Sequence, residues 1–427
     1  MISSGENINQ ALWARLDYGA IAKYILYAIL LFSPLARGSV HGWQQGIIEI
    51  AALLILSCLL LARICNGVDF VASTDLDRPI AALLLLLLIS LIFSLSKPES
   101  IESVMLVLAY LVFFYATVHI CRTRENQREL VYAVCIIATL PVCIAYVKGF
   151  GADPGSFWVY DDVYYSPRFF SGVYGNHNHL AGYLEMVIPL MLSLFLTRKK
   201  RGWRRILLSC WALVFLVCHL LTLSRGGWFS LACSLVFMLV ILKVYGTLKR
   251  KAMLVAASSL CCIFFVLVLS GTELFERVLS LTEGESMMSM DERLLIWRGT
   301  VNCIVDHMLM GTGPGTFSII FPYYQLPGTL VRFYQAHNDY LQYVMELGIF
   351  FIPLCFWTLF TLFRSGFKKL SSRSRQVRGY SLATMAGIVA ILLHSLVDFN
   401  LHIPANALLF TVLAALSVAR LEKTKRK

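Results

Sequence analysis

Long apolar segments recur along almost the whole of this 427-residue chain, and they restrict its fold more than any other feature. A helix rises about 1.5 Å per residue, so about 20 apolar residues cross the roughly 30 Å hydrocarbon core of a membrane. Such segments predict an all-α, polytopic integral membrane protein with about 12 transmembrane helices, forming a single transmembrane domain over 1–427. The predicted spans are 20–36, 46–62, 79–96, 103–120, 130–147, 179–197, 206–223, 228–244, 252–270, 340–363, 380–397 and 405–420.

The charge distribution predicts the orientation of these helices. Only 15% of the residues are charged, against about 25% in soluble proteins, while 58% are hydrophobic. The net charge of +12 would indicate a nucleic-acid partner in a soluble protein, but here the basic residues cluster in short segments between apolar runs. The positive-inside rule places those segments in the cytoplasm, together with both termini. We therefore expect no nucleic-acid binding.

The N-terminal region and the cysteines add two further expectations. The first 19 residues are polar and lack a small-residue cleavage pattern, so the first span is predicted to remain as an anchor. The twelve Cys lie mostly singly in apolar runs, without metal-ligand spacing. His177 and His179 form an i, i+2 pair with no third ligand, which favours substrate contact or helix entry over metal binding. We expect neither a metal nor another cofactor.

Two outer segments are long enough to carry function: a short loop at 149–178 and a large loop at 271–339. Within the second, Ser289 and Glu292 form a capping box ahead of apolar residues at helical spacing, which predicts an amphipathic helix over about 290–310. Gly311 is placed to end that helix. The GTGPG turn at 311–315 is weakly indicative of phosphate binding, because it lacks the strand and lysine of a P-loop.

His337 is the leading candidate for chemistry. It precedes the predicted span 340–363, and either Asn338 alone or Asp339 with Gln342 can cap that helix. The positive end of the helix disfavours a charged imidazole and so favours a neutral side chain that can accept a proton. The alternative is that the His-Asn pair only caps the helix.

Two arginines on the predicted outer side are candidates for anion binding. Arg225 lies in the tight SRGG turn between two spans, where a charge is costly unless it has a partner. Arg293 lies in the first turn of the predicted loop helix, where the helix dipole adds to its attraction for anions. Guanidinium groups suit phosphate oxygens, although both side chains could instead snorkel or pair with neighbouring carboxylates. Arg332 lies on the same side as a supporting candidate.

Asp398 is a further candidate for a supporting role. It lies in HSLVDFNLHIPAN, a short outer turn in which His394 and His402 flank it. A carboxylate there can orient a basic group or cap a helix. Asn338, Asp339, His179 and Arg332 join it as candidates for indirect support of the site.

These segments resemble the O-antigen ligase and O-antigen polymerase superfamily of bacterial envelope glycan assembly. His337, Asn338, nine residues and Gly348 are similar to the ligase signature, but its last position is Phe351 here instead of Gly, Thr or Tyr. SRGG at 224–227, GNHNHLAGYLE, GTGPGTF and HSLVDFNLHIPANAL are similar to recurring family segments. The resemblance covers about 170–415.

The resemblance implies a GT-C-like fold in the bacterial inner membrane and a metal-independent, inverting glycosyltransferase. Its donor would be O-antigen glycan on undecaprenyl pyrophosphate, and its acceptor a hydroxyl of lipid A-core on the periplasmic face. The family's loop histidine corresponds to His337, as catalytic base, and its outward-facing arginines to Arg225 and Arg293, as pyrophosphate ligands. Membrane lipid is the other expected partner.

Three alternatives remain at this point. An O-antigen polymerase and a protein O-oligosaccharyltransferase use the same chemistry with another acceptor. A transporter shares the plan of twelve spans with both ends inside. The sequence has no obvious repeat in its two halves and no paired broken spans, which disfavours a transporter.

Overall fold

A computed structural model describes residues 16–67, 73–150, 170–197, 202–245, 290–327 and 332–422. These residues form α-helices, short 3-10 turns and loops, with no strand, so the all-helical prediction is confirmed for this part of the chain. The helices are α1 Tyr18–Leu35, α2 Gly42–Asn66, α3 Asp77–Ile92, α4 Lys97–Ile120, α5 Arg124–Gly149, α6 His177–Thr197, α7 Trp203–Leu221, α8 Arg225–Val244, α9 Met290–Asp306, α10 Phe317–Ile320, α11 Asp339–Leu347, α12 Phe351–Leu370, α13 Arg375–His394 and α14 Pro404–Val418.

The membrane character rests on the length and apolarity of these helices. Within the described residues, α1, α2, α4, α5, α8 and α13 are long and apolar enough to cross a membrane, and α7 and α14 contain shorter apolar stretches. The predicted span 252–270 lies outside the described residues, as do Ser289 and most of the segment 149–178. The total of about 12 spans and the GT-C-like similarity therefore stay predictions.

Helix α13 is the centre of the bundle. It packs along α6 and α8 and also contacts α12 and α14. Small residues permit this close packing: a Cβ atom at Gly387 of α13 would lie 2.9 Å from the carbonyl oxygen of Met186 on α6. The end of α13 at His394 leads into a loop, residues 395–403, that returns the chain to α14. The candidate site is built around this loop.

The predicted single span over 340–363 is wrong, because the chain breaks there into α11 and α12. Gly348 adopts φ +78° and ψ −179°, which no helix accommodates. It also approaches the 307–311 turn so closely that a Cβ atom would lie 2.2 Å from Leu309 O. Only glycine fits this contact without strain. The break thus comes from packing against a distant segment.

The large loop has a small hydrophobic core of its own, which packs against α11. The aromatic rings of Phe317 and Phe321 stack at 4.7 Å, and α9 contributes Ile296 and Cys303 to the same cluster. Helix α9 ends at Asp306, earlier than the predicted 310. This core fixes the position of α9 relative to α11, because residues of both helices pack in it.

The GTGPG turn holds a side chain of the protein itself. Its Gly315 N–H donates to Oε2 of Glu346 at 2.9 Å, and Phe317 N–H donates to Oε1 at 3.4 Å. Glu346 is buried, and these bonds satisfy its carboxylate. The weak indication of a phosphate site at 311–315 is therefore explained by an internal carboxylate.

Charged side chains gather at the end of the bundle opposite to the 395–403 loop. Asp75 accepts from Ser365 Oγ at 2.6 Å and lies 3.5 Å from Lys368 Nζ. It also pairs with Arg420. This basic end is the one that the positive-inside rule assigns to the cytoplasm. The orientation itself stays a prediction.

Candidate active site

His337 adopts an unfavourable backbone conformation that its neighbours maintain. Its φ of +50° lies in the left-handed region, which costs a non-glycine residue about 1–3 kcal/mol. On its N-terminal side, Ala336 N–H donates to Gln342 Oε1 at 2.9 Å, and Ala336 O accepts from the indole N–H of Trp297 at 3.0 Å. Both backbone groups beside the histidine are thus fixed, one of them by α9.

Asn338 and Asp339 fix the other side of His337. Asn338 is the N-cap of α11, and its side-chain oxygen accepts from Leu341 N–H at 3.1 Å. Its side-chain amide donates to Leu396 O, and Asp339 N–H donates to Ser395 O, both at 2.9 Å. Of the two capping schemes, the structure has Asn338. These bonds tie the start of α11 to the 395–403 loop.

The imidazole of His337 faces a buried carboxylate. Its Nδ1 lies 3.5 Å from Oδ1 of Asp398, whose side chain is 2% exposed. At this separation the contact is electrostatic, and Nδ1 has no hydrogen-bond partner among the described residues. Burial alone would raise the pKa of Asp398, but attraction to His337, His179 and His394 holds this pKa well below its usual range. Asp398 is therefore ionised at neutral pH.

Phe399 separates two imidazole rings. The rings of His337 and His179 contact it edge-to-face, with centroid distances of 4.8 and 4.7 Å. His179 is buried, and its Nε2 has no hydrogen-bond partner in the described part of the chain. This places His179 close behind the candidate base without a direct contact between the two rings.

Arg293 reaches the same loop from α9. Its Nη1 donates to Val397 O at 2.8 Å, next to Asp398. Its Nε is buried and finds no hydrogen-bond partner among the residues that the structure describes. A guanidinium group held by one bond retains further N–H groups for an anion. Arg293 therefore binds the residue that directly precedes Asp398, the carboxylate that faces His337.

The turn that carries Arg225 packs against this loop as well. Ser224 caps α8 by accepting from Gly227 N–H at 3.2 Å, which makes Arg225 the first residue of the helix. A Cβ atom at Gly226 would lie 3.0 Å from a methyl group of Val397. The Arg225 side chain is exposed. Thus Val397 contacts Arg293 from α9 and the turn that carries Arg225 at the start of α8.

Asp339 and Arg332 have contacts that differ from the expected supporting roles. Asp339 is buried, pairs with His402 Nδ1 and accepts from Leu401 N–H at 2.9 Å, so it holds the loop instead of facing His337. Arg332 donates to Ser318 O at 2.9 Å and lies over the Tyr334 ring. In the part of the chain that the structure describes, Arg332 forms no hydrogen bond or ion pair with the other candidates.

Sequence reasoning did not identify Glu185 as a site residue. Its carboxylate lies on α6, fully buried, with Oε1 3.2 Å from Nδ1 of His394. The available signal was a carboxylate inside an apolar run, which is costly and for that reason usually functional. His394 was recognised only as a flanking residue of the outer turn.

The arrangement brings one base candidate, one ionised carboxylate and the guanidinium group of Arg293 around residues 397 and 398, with the turn that carries Arg225 packed beside them. Among the described residues, no group of three or more His, Cys, Asp or Glu side chains is placed to hold a metal ion. Such a set of groups can accept a proton and neutralise an anionic leaving group.

Comparison with known families identifies the central part of the chain. A family model described as O-Antigen ligase matches residues 210–354, from within α7 to the first turn of α12. This segment of the chain is therefore similar to the O-antigen ligase family. No curated protein matches the sequence significantly.

The matched O-antigen ligase segment contains Arg225, Arg293 and His337, but it does not contain the whole site. Asp398 and His179 lie outside it, and the fold adds them through α6 and the 395–403 loop. The segment also includes the Gly348 break. The similarity to the O-antigen ligase family therefore agrees with a site at this end of the bundle, opposite to the basic end.

Proposed function

We propose that this protein is an O-antigen ligase of the bacterial inner membrane. It transfers glycan from undecaprenyl pyrophosphate to a hydroxyl group of lipid A-core on the periplasmic face. The observation that carries the proposal is that Arg293 binds Val397 O and His337 faces Asp398, while Gly226, the residue after Arg225, packs against Val397. The match of residues 210–354 to the O-antigen ligase family model supports the same assignment.

In this proposal His337 is the general base. Its Nδ1 faces Asp398, which leaves Nε2 to accept the proton of the acceptor hydroxyl. The acceptor oxygen forms a bond to the anomeric carbon as the bond from that carbon to the pyrophosphate oxygen breaks. The electron pair leaves with the pyrophosphate. A single displacement of this kind inverts the anomeric configuration.

Arg225 and Arg293 bind the pyrophosphate. Their guanidinium groups stabilise the negative charge that develops on the leaving group, which is the role a divalent ion has in many other transferases. We therefore propose that the reaction needs no metal. Transfer in excess chelator should match transfer in its absence. Loss of transfer that added magnesium or manganese restores would contradict this assignment.

The acceptor separates this function from its nearest alternatives. Phe351 departs from the ligase signature, so an O-antigen polymerase or a protein O-oligosaccharyltransferase is the second candidate. Phe351 begins α12 and its ring lies 5.2 Å from that of Tyr343, which in turn stacks on His402 at 4.5 Å. The Phe351 side chain thus packs against other side chains of the protein, and its identity does not indicate which acceptor is used.

One reconstitution tests the proposal. The purified full chain in lipid vesicles receives glycan-loaded undecaprenyl pyrophosphate with lipid A-core, with a second lipid-linked repeat, or with a pilin-like protein. A ligase forms product only with lipid A-core. Product with the second lipid-linked repeat would instead identify a polymerase, and product with the pilin-like protein an oligosaccharyltransferase.

A further inference from the structure

Glu185 and His394 form a buried pair between α6 and α13. Oε1 of Glu185 lies 3.2 Å from Nδ1 of His394, and their side chains are 0% and 1% exposed. Oε2 of Glu185 has no hydrogen-bond partner in the described part of the chain. A carboxylate placed there with one bond is expensive, and an apolar pair of similar size is usually at least as stable. Stability alone does not account for this pair.

The second nitrogen of His394 faces the turn that carries Arg225. Its Nε2 lies 3.5 Å from Oγ of Ser224, the N-cap of α8. A Cβ atom at Gly226 would lie 3.1 Å from the same nitrogen and 3.0 Å from Cδ2. The imidazole therefore contacts the residues on both sides of Arg225.

The same histidine begins the loop that contacts the rest of the site. The carbonyl oxygen of His394 accepts from Val397 N–H at 3.0 Å and from Asp398 N–H at 3.1 Å. A rotation of the ring or a shift of the backbone at this residue would consequently move the turn of Arg225, the carbonyl that holds Arg293 and the carboxylate that faces His337.

We propose that Glu185 and His394 are positioning residues, which set the orientation of Arg225 toward the donor pyrophosphate. The carboxylate fixes the imidazole through Nδ1, and the imidazole fixes the Ser224–Gly227 turn. Neither side chain touches the substrate. This inference rests on the proposed binding of pyrophosphate by Arg225.

A double-mutant cycle tests the inference. Binding of undecaprenyl pyrophosphate without glycan is measured on the full chain in lipid nanodiscs, for Glu185→Gln, Arg225→Lys and the double variant. Glutamine keeps the shape of the side chain and removes its charge. If the pair acts through Arg225, Glu185→Gln weakens binding about tenfold alone and less than twofold in the Arg225→Lys background. His394→Gln should behave in the same way and provides a second measurement if the first variant folds poorly.

Ser234→Ala is the matched control. It removes another fully buried contact between α8 and α13, in which Ser234 Oγ donates to Ala386 O at 2.7 Å, remote from the turn. It should leave Kd unchanged even where it lowers the melting temperature.

The possible outcomes separate this inference from the proposed function. Equal weakening by Glu185→Gln in both backgrounds would indicate a merely structural role and overturn the inference. Weaker binding by Arg225→Lys with normal binding by Glu185→Gln and His394→Gln would overturn it as well, while the proposed function stands. Normal binding by Arg225→Lys would contradict both.

Discussion

Nδ1 of His337 lies 3.5 Å from Oδ1 of Asp398, although the two residues come from opposite ends of the α11 to α13 segment. The left-handed backbone of His337 aims the ring at this carboxylate, and the bonds of Ala336 and Asn338 keep it there. Strained backbone conformations of this kind are concentrated at functional sites, where the orientation of a side chain is maintained at a cost in local stability.

Replacement of His337 by asparagine should abolish most of the transfer while the fold is kept. Asparagine tolerates φ +50° better than most residues, so a loss of activity cannot be attributed to the backbone. We expect the transfer rate at saturating donor to fall by about a hundredfold or more, the usual scale for a lost general base. The melting temperature and donor affinity serve as controls. Transfer at the wild-type rate would show that His337 is only a cap or a substrate contact.

Replacement of Asp398 by asparagine should lower the rate of transfer while donor affinity is kept. Burial alone would raise the pKa of Asp398, but attraction to neighbouring imidazoles holds it well below its usual range, so the residue is charged at neutral pH. Asparagine keeps the size of the side chain and removes the charge that faces Nδ1 of His337 at 3.5 Å. We expect the transfer rate at saturating donor to fall by about tenfold or more, because the ring is less well oriented. Transfer at the wild-type rate would mean that Asp398 only supports the loop.

Replacement of Arg293 by lysine should weaken donor binding by about tenfold. Lysine keeps the charge but cannot hold Val397 O and phosphate oxygens at the same time with a planar fork. Arg298→Lys is the control, since this side chain is exposed on the same helix. Equal donor affinity in the two variants would argue against a pyrophosphate contact by Arg293.

The pair of Asp339 and His402 should make stability depend on pH. Burial lowers the pKa of His402, but the hydrogen bond with Asp339 and the charges of Asp339 and Glu346 raise it above 6.5 overall. Its contribution to stability is therefore complete below pH 6.5 and is lost as pH rises through the elevated pKa. The stability difference between wild type and His402→Gln should shrink as pH rises above 6.5, measured by thermal unfolding in detergent. A difference that grows with pH would contradict the assignment.

Substitution of Gly348 by alanine should be strongly destabilising. Its φ of +78° disfavours any side chain, and the new Cβ atom would lie 2.2 Å from Leu309 O. We expect a loss of roughly 2 kcal/mol or more, measured by thermal or denaturant unfolding. Gly46→Ala is the control, because it lies inside α2 with no atom within 4 Å of the added methyl group. Similar stability of the two variants would mean that the 307–311 turn moves away from the added methyl group at little energetic cost.

Most helices could be predicted from the sequence because an apolar run long enough to cross a membrane has few other stable conformations. The break at Gly348 could not, since one glycine in such a run is usually tolerated and here the reason is the approach of Leu309 from a distant turn. The GTGPG turn is a similar case. Its Gly315 N–H does donate to an acidic group, but that group is the side chain of Glu346.

The candidate site shows the same division between local and distant information. His337, Arg225 and Arg293 carry local signals, namely a histidine before a helix and arginines at helix starts. The contact between His337 and Asp398 and the pair of Glu185 and His394 depend on how α6, α11 and α13 pack. Residues far apart in sequence meet there, and their pairing is not encoded in any local pattern.

Gly348 contacts the turn at Gly311, so the number of residues between Asn338 and Gly348 sets the distance between two fixed contacts of α11. Nine residues of α11 separate Asn338 from Gly348, a rise of about 13.5 Å at 1.5 Å per residue. The start of α11 is hydrogen-bonded to the 395–403 loop, and Gly348 at its other end contacts the backbone of the 307–311 turn. Inserting or deleting one residue would rotate the two ends of α11 by about 100° relative to each other. We therefore expect α11 to tolerate substitutions far better than a change in its length.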